Sequence, residues 1–204
     1  MSILLVRHGE TPLNVARTLQ PADTPLSARG AAQAQAVAGR LARLGIEGIL
    51  SSDLPRALMT ARAIGAASGA PVATTALLHE RNFGDWRGRP YDSLGFDPLA
   101  VDDAPPGGES SADFAARVAR AFAELVQHRA ALAGTLVVVS HGLVIREILA
   151  RHVRLTAAMV VPARLGNTSV SIVAADPPHA VELLDCLRHL DATTGDDVQS
   201  LSGG

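Results

Sequence analysis

Short runs of branched apolar residues alternate with longer stretches rich in Ala and Arg along most of this chain. Runs of this kind are typical of buried strands, whereas the longer stretches repeat their apolar residues at helical spacing. The predicted strands are 3–6, 46–50, 72–75, 135–139, 169–174 and 180–185, and the predicted helices are 27–44, 54–68, 110–133 and 143–153. Alternating strands and helices favour a mostly parallel sheet that is covered on both faces. We therefore predict an α/β protein, a single-domain three-layer α/β/α sandwich with a mostly parallel central sheet and an antiparallel edge strand.

The length of the chain indicates one domain, because 204 residues are enough to bury a sizeable hydrophobic core. We place this domain at residues 1–188 and expect residues 189–204, which are polar and rich in Gly and Ser, to form a flexible tail. The segment 79–109 is rich in Gly, Pro and Asp and contains the only Trp and the only Tyr. A long segment of this kind inside a domain is usually functional, and we expect one helical turn near residues 92–94.

Composition excludes several classes of protein and of site. A formal net charge of −2 gives no electrostatic reason to expect nucleic-acid binding. All 18 basic residues are Arg, which excludes a Schiff-base lysine and a Walker A loop. The single cysteine, Cys186, cannot form an internal disulfide or a Cys-rich zinc site. We interpret three arginines of the helix at 110–133 as a solvated face, namely Arg117, Arg120 and Arg129.

Membrane association and export are not expected. Arg7 interrupts the N-terminal apolar run before it reaches the length of a signal peptide. No apolar stretch approaches the length of a membrane span. A cytoplasmic protein is therefore expected.

Charged residues and histidines follow three of the predicted strands at the point where each strand ends. These residues are Arg7 and His8 after the first strand, Arg56 shortly after the second and His141 after the strand at 135–139. In sheets of this kind, ligands bind beyond the carboxyl ends of the strands. Two histidines and two arginines are therefore expected to meet at one edge of the sheet.

This set of side chains suits phosphoryl transfer. A guanidinium group binds phosphate oxygens two at a time, and a neutral imidazole is a competent nucleophile near neutral pH. Phosphoryl transfer demands mainly positioning and positive charge around the phosphoryl oxygens, which Arg7, Arg56 and His141 would supply without a metal ion. Gly9 and Gly142 follow the two histidines and let the backbone approach an anion. A carboxylic acid is still needed to protonate the leaving oxygen.

Three motifs resemble the histidine phosphatase superfamily, which includes the cofactor-dependent phosphoglycerate mutases and many small-molecule phosphatases. The motifs are L-V-R-H-G-E-T-x-x-N, then S-S-D-L-x-R-A-x-x-T-A, then V-V-S-H-G, and they occur in the order found in that family. The resemblance extends from about Ile3 to Ser171.

The resemblance implies a role for each residue of the motifs. His8 would be the phosphorylated nucleophile, and Arg7, Arg56 and His141 would hold the phosphoryl group. The segment L-L-H-E-R-N-F-G-D-W-R-G resembles the family segment that carries the proton donor, which places this acid at Glu80. Four further residues are expected to bind substrate, namely Thr11, Asn14, Gln20 and the backbone N–H of Gly142.

Alternatives remain for several of these residues. Asn14 is also suited to capping a helix. Other carboxylates near Glu80 in the sequence or in the motifs are candidates for the acid, namely Glu10, Asp53, Asp85 and Glu109. No set of His, Asp or Glu has the spacing of metal ligands, so neither a metal ion nor a cofactor is expected.

Two positions depart from the family pattern, and both concern the choice of substrate. Gln20 is followed by Pro21, where the family has Gly, and a proline has no N–H with which to contact a ligand. Arg87 stands where many relatives have Glu. This extra cation would either attract a multiply charged substrate or pair with Asp85.

The sequence predicts a metal-independent phosphomonoesterase that acts on a small phosphorylated metabolite in two steps, with His8 as nucleophile and Glu80 as acid and then base. Three alternatives stay open: a cofactor-dependent phosphoglycerate mutase, a protein-phosphohistidine phosphatase, and a non-catalytic phosphate-binding module. A phosphatase is favoured over a mutase because the chain is short and its segment 79–109 is lean. The resemblance makes a homodimer plausible.

Overall fold

A six-stranded sheet in the order β3-β2-β4-β1-β5-β6 forms the centre of the protein. The computed structural model describes residues 1–191, 194 and 195. The strands are β1 (Ser2–Arg7), β2 (Ile46–Ser51), β3 (Val72–Thr74), β4 (Thr135–Ser140), β5 (Val170–Ala174) and β6 (Val181–Cys186). The helices are α1 (Pro12–Val15), α2 (Ala28–Leu41), α3 (Pro55–Ser68), α4 (Ser111–Ala130) and α5 (Gly142–Arg151), with 3₁₀ turns at Ala76–Leu78, Gly84–Trp86 and Tyr91–Ser93.

The direction of the strands brings the predicted site residues to one edge of the sheet. Strands β3, β2, β4 and β1 are parallel neighbours, and Arg7 at the end of β1 lies opposite Ser140 at the end of β4. Strand β5 runs antiparallel to β1, and the edge strand β6 runs antiparallel to β5. The predicted fold, with its mostly parallel sheet and antiparallel edge, is confirmed.

Alternate residues of each central strand pack into two separate cores. On β1, Ile3 and Leu5 face a core shared with α4 and α5, whereas Leu4 and Val6 face a core shared with α2 and α3. Period-two alternation places successive side chains on opposite faces of a strand, so an uninterrupted apolar run serves both cores at once. The three-layer α/β/α arrangement follows directly.

Predicted helix starts agree better with the structure than predicted helix ends. The hydroxyl of Ser27 accepts a hydrogen bond from the N–H of Gly30 at 2.9 Å and caps α2, and Ser110 caps α4 in the same way. The helix predicted over 27–44 ends at Leu41, and Gly45 then turns the chain with a φ of 60°. Such a φ is open to glycine at little cost, which explains why the chain reverses there.

Of the helices in the described part of the chain, none is long and apolar enough to cross a membrane. The predicted tail at 189–204 lies mostly outside the described residues, and the domain boundary at residue 188 stays a prediction.

Gly30 allows the loop after β1 to lie against the first turn of α2. A Cβ atom at this position would lie 1.9 Å from the carbonyl oxygen of Glu10, which is held by a hydrogen bond from the N–H of Ser27 at 2.9 Å. We expect Gly30→Ala to lower the free energy of unfolding by about 3 kcal/mol, because neither backbone can move away freely. Urea denaturation followed by circular dichroism measures this change.

The same helix supplies a matched control. A Cβ atom at Gly39 would have no neighbour within 4 Å. Gly39→Ala is therefore expected to raise the free energy of unfolding by about 0.5–1 kcal/mol, through helix propensity alone. Equal effects of the two substitutions would show that the contact with Glu10 is not what requires a glycine at position 30.

Candidate active site

His8 lies directly after β1 and is buried as a neutral imidazole. Its Nδ1 atom is 2.7 Å from the carbonyl oxygen of Gly9. A carbonyl only accepts hydrogen bonds, so Nδ1 carries the proton and Nε2 keeps its lone pair. Burial, with the positive charges of Arg7 and Arg56, holds the pKa of His8 well below 6.5. The ring is thus in the form that a nucleophile requires.

The backbone around His8 is held on three sides. The N–H of His8 donates to the carbonyl of Ser140 at 3.0 Å, and the N–H of Gly9 donates to the hydroxyl of Thr60 at 3.1 Å. The side-chain amide of Asn167 donates to the carbonyl of His8 at 3.1 Å. Asn167 was not among the site residues predicted from the sequence. Its place just before the predicted strand at 169–174 was a signal that it could lie near the end of β1.

His141 lies directly after β4 and faces His8. The two ring centroids are 5.1 Å apart, at an interplanar angle of 58°. The Nε2 atom of His141 lies 2.9 Å from the hydroxyl of Ser52, which is a further contact that sequence analysis missed. Its Nδ1 atom is buried and has no hydrogen-bond partner among the described residues. Burial, followed by the charge of Arg56, lowers the pKa of His141 well below 6.5.

Arg7 and Arg56 are both buried beside these rings, at 0% and 1% exposure. Arg7 Nη1 donates to the carbonyl oxygen of Leu165 at 2.5 Å. Arg56 Nη1 makes a long contact of 3.4 Å with the carbonyl oxygen of Pro21. This carbonyl belongs to the proline that replaces the glycine of the family pattern, so the position still contributes a backbone oxygen to the site.

Arg56 is buried without an ion pair. Burial lowers the pKa of its guanidinium to about 10, although the nearby charge of Glu80 works against this change. Its Nε atom has no hydrogen-bond partner, and no carboxylate forms an ion pair with it in the described part of the chain. A buried cation that is not directly paired is unfavourable, and an anion beside it would remove much of that cost.

Three of the four predicted substrate-binding residues form one hydrogen-bonded group next to His8. Thr11 and Asn14 form a capping box at α1, in which Asn14 N–H donates to the Thr11 hydroxyl at 3.0 Å. The Thr11 hydroxyl donates in turn to Gln20 Oε1 at 2.8 Å. The residue that caps α1 is therefore Thr11, and Asn14 completes the box from inside the helix, where its Oδ1 accepts from the N–H of Thr11 at 3.1 Å. The hydroxyl proton of Thr11 is already used. Contacts of these residues with substrate stay predictions.

Glu80 is a buried carboxyl group at the start of α5. Its Oε1 accepts a hydrogen bond from the N–H of Arg81, and its Oε2 accepts one from the N–H of Leu143, each at 3.1 Å. Burial raises its pKa above 4.5, although both N–H groups and the charge of Arg56 work against this rise. A carboxyl group with a raised pKa holds its proton at higher pH and can act as an acid.

Gly142 is the first residue of α5, next to His141. The first N–H groups of an α-helix have no partner within the helix, and they point towards an anion at its N-terminus. Leu143 uses its N–H for Glu80, which leaves the predicted contact between Gly142 N–H and a phosphoryl oxygen geometrically open. This role also stays a prediction.

The other carboxylates considered from the sequence have separate partners or lie in solvent. Glu10 accepts hydrogen bonds from Ser27 at 2.8 Å and Arg29 at 3.4 Å, and Glu109 forms an ion pair with Arg117 at 2.5 Å. Asp53 pairs with His79, and Asp85 is exposed. Of the five, Glu80 combines burial with a raised pKa and a place beside the arginines.

Arg87 adds positive charge near Arg56. Arg87 and Asp85 both lie in the described part of the chain and form no ion pair, so the predicted alternative of pairing is wrong. The charge of Arg87 instead acts to lower the pKa of Arg56. Within the described residues, no group of three or more His, Cys, Asp or Glu side chains is arranged to hold a metal ion.

Most of this chain is similar in sequence to known proteins. A sequence model described as "Histidine phosphatase superfamily (branch 1)" matches residues 3–184. The "Probable phosphoglycerate mutase GpmB" of Enterobacter sp. (strain 638) is 34% identical over 215 residues, covering 98% of this chain and 99% of the relative.

Two solved structures share the fold. A mycobacterial glucosyl-3-phosphoglycerate phosphatase in complex with VO3 is 33% identical with a TM-score of 0.72, covering 85% of this chain and 90% of its own. The alpha-ribazole phosphatase from Shigella flexneri is 29% identical with a TM-score of 0.78, covering 91% of this chain and 96% of its own.

Proposed function

Because this chain belongs to the histidine phosphatase superfamily and is a phosphoric monoester hydrolase of that type, we propose that it dephosphorylates a small phosphorylated metabolite through a phosphohistidine on His8, with no metal ion. The observation that carries the proposal is a neutral, buried His8 with its Nε2 lone pair available beside two buried arginines. Arg56, which forms no ion pair with a carboxylate in the described part of the chain, supports the binding of an anion there.

In the first step, His8 Nε2 forms a bond to phosphorus while the bond from phosphorus to the leaving oxygen breaks. Arg7 and Arg56 stabilise the negative charge on the phosphoryl oxygens, and His141 Nδ1 is available to contact one of them. Glu80 gives its proton to the leaving oxygen, so the product departs as a neutral alcohol.

In the second step, water attacks phosphorus and the bond to His8 Nε2 breaks. The Glu80 carboxylate left by the first step takes a proton from this water, which restores the acid for the next cycle. His8 and Glu80 therefore act in both steps. Glu80 gives a proton in the first step and takes one in the second, and inorganic phosphate is released. The similar mycobacterial phosphatase has been solved with VO3 and with inorganic phosphate, which supports the binding of phosphate by this chain.

A second candidate function is phosphoglycerate mutase, because a relative at 34% identity carries that name. Chain length does not separate the two functions, since this relative is aligned over 99% of its own length. The distinction lies in what accepts the phosphoryl group from His8, which is water in a phosphatase and a phosphoglycerate in a mutase.

The deciding experiment follows the phosphoryl group from p-nitrophenyl phosphate in the presence of EDTA. We expect release of inorganic phosphate at the same rate with and without EDTA, and a phosphoprotein that survives alkaline quenching but is lost in acid. Turnover that stops in EDTA and returns with a divalent cation would contradict the metal-independent route. Transfer to phosphoglycerate in preference to water, with a bisphosphate primer present, would establish the mutase instead.

A further inference from the structure

The segment 79–109 is fixed to the loop after α1 by a short antiparallel pairing. The N–H of Gly88 donates to the carbonyl of Leu19 at 2.7 Å, and the N–H of Leu19 donates to the carbonyl of Arg89 at 3.1 Å. An isolated antiparallel bridge continues this pairing one residue further. The backbone directly after Arg87 is therefore held in place, although it belongs to a long loop.

This pairing brings Arg87 to the side of the active site where Pro21 and Arg56 meet. Arg87 precedes the paired Gly88, and Pro21 follows the paired Leu19 by two residues. The carbonyl oxygen of Pro21 lies 3.4 Å from Arg56 Nη1. Burial lowers the pKa of Arg56 most, and the charge of Arg87 lowers it further. Two guanidinium groups from distant parts of the chain therefore lie near each other.

Neither guanidinium is neutralised by an ion pair. None of the ion pairs between the described residues includes Arg56 or Arg87. Glu80 acts on Arg56 through its charge, but backbone N–H groups hold both of its oxygens. Glu109 acts on Arg87 through its charge, but its oxygens accept from Arg117 at 2.5 and 3.1 Å. Two like charges repel each other, and an anion between them would remove that repulsion.

The electrostatics also indicate from which direction Arg87 reaches the site. Arg56 acts on both His8 and Glu80, so it lies beside the proposed nucleophile and the proposed acid. Arg87 is not among the charges that shift the pKa of His8 or of Glu80. It is partly exposed and approaches Arg56 from the outer side of the site. An anion shared by the two arginines is therefore the phosphoryl group and not a charge on the leaving group.

We propose that Arg87 is a third phosphoryl-binding arginine, which donates from the segment 79–109 to a non-bridging oxygen held by Arg56. The proposal rests on the proposed function, because it takes the anion at Arg56 to be the phosphoryl group of the substrate. A guanidinium on a long stem suits this role, since its planar fork matches phosphate oxygens. Pro21 has no N–H, so the adjacent backbone cannot supply this donor at position 21. Arg87 departs from the family pattern, and its contact is an addition to that pattern.

Inorganic phosphate tests the proposal without a leaving group. Calorimetry is expected to show that Arg87→Gln raises the Kd for phosphate by at least roughly 10-fold, the lower end for a charge-assisted hydrogen bond. Arg89→Gln removes an exposed arginine two residues further along the same loop, and it should change the Kd by less than about twofold. The difference between the two variants is expected in both about 0.15 M and about 1 M NaCl, between which the Debye length falls from roughly 8 to 3 Å.

The absence of lysine from this chain allows a second, direct test of the contact. Arg87→Lys introduces the single ε-amino group of the protein, and Arg89→Lys introduces one at the control position. Phosphate at about ten times its Kd leaves roughly one site in ten empty, so acylation of the amine at position 87 should slow roughly tenfold. Acylation at position 89 should not change. Mass spectrometry of the acylated peptides measures both rates.

Thermal denaturation separates phosphate binding from a structural role. Without phosphate, Arg87→Gln is expected to have the same Tm as the wild type or a higher one, because the repulsion of Arg56 is lost. A lower Tm would show that Arg87 supports the fold and would overturn the proposal. An unchanged Kd for phosphate in Arg87→Gln would also overturn it. So would equal losses in Arg87→Gln and Arg89→Gln, or a loss seen only at low salt, since both are effects of long-range charge.

Failure of the proposed function has a different result. If the wild type binds phosphate but hydrolyses no phosphate ester, the function is wrong, and calorimetry still decides whether Arg87 binds the anion. If the wild type hydrolyses phosphate esters and its Kd for phosphate does not depend on Arg87, this inference alone is wrong. A wild type that neither binds nor hydrolyses phosphate compounds would refute both.

Discussion

The substitution His8→Ala is expected to lower kcat/KM for p-nitrophenyl phosphate by at least about 10,000-fold, because it removes the atom that we propose accepts the phosphoryl group. The phosphoprotein should vanish together with turnover. Binding of inorganic phosphate should largely remain, since Arg7 and Arg56 stay in place. Steady-state kinetics and alkaline-quench labelling measure the two losses, and calorimetry measures the binding that remains.

A second substitution separates chemistry from structure. An amide at position 8, in His8→Asn, can still donate to the carbonyl of Gly9 but has no nucleophilic nitrogen. It should be as inactive as His8→Ala. His128→Ala, on the exposed face of α4, removes a histidine far from the site and should leave kcat/KM unchanged. Substantial activity in His8→Asn would show that the ring has a structural role and that another group is phosphorylated.

The substitution Glu80→Gln is expected to reduce kcat/KM for an alkyl phosphate, which reports the transfer of the phosphoryl group to His8 and not the later hydrolysis, by roughly 100- to 10,000-fold. The amide oxygen can still accept from Leu143, so the start of α5 keeps its partner. The loss should be much smaller for p-nitrophenyl phosphate, because nitrophenolate leaves readily without a proton. Asp85→Asn, an exposed carboxylate of the same segment, should change neither rate. Equal losses on both substrates would argue against proton donation.

The pH dependence follows from two opposite shifts. A raised pKa keeps Glu80 protonated to higher pH, so activity on alkyl phosphates is lost as pH rises through that pKa. A lowered pKa keeps His8 neutral to lower pH, so activity is lost as pH falls through that value, well below 6.5. Glu80→Gln should remove the alkaline decline that belongs to this carboxyl group. Ionisation of the substrate is common to both proteins, and the difference between their profiles therefore isolates Glu80.

The sequence was enough to predict that His8, Arg7, Arg56 and His141 meet. Each follows or lies close to the carboxyl end of a strand, and parallel strands end at the same edge of a sheet. The cap at Ser27 was equally predictable, because a Ser before a helical pattern is a local signal. In both cases the prediction depends on residues that are close in the sequence or on the shared direction of the parallel strands.

Contacts that depend on distant packing were not predictable in this way. Arg117 was interpreted as solvated, yet its guanidinium pairs with Glu109 and donates to the carbonyls of Leu77 and His79 at 2.8 Å. Arg129 is also buried, so the interpretation was wrong for both and holds only for the exposed Arg120. By binding the carbonyl just before Glu80, Arg117 helps to place the residue that we propose as proton donor. Helix periodicity cannot reveal an arginine whose side chain extends away from its helix and donates to backbone carbonyls of a loop.

The two faces of α5 have different neighbours, and this affects how the protein can diverge. The inner face, with Val144, Ile145, Ile148 and Leu149, belongs to the core that supports the sheet, so changes there disturb the reaction as a whole. The outer face, with Ala150 and Arg151, is exposed and contributes nothing to that core. Substitutions on the outer face can therefore accumulate without moving the start of α5, which lies between His141 and the partner of Glu80.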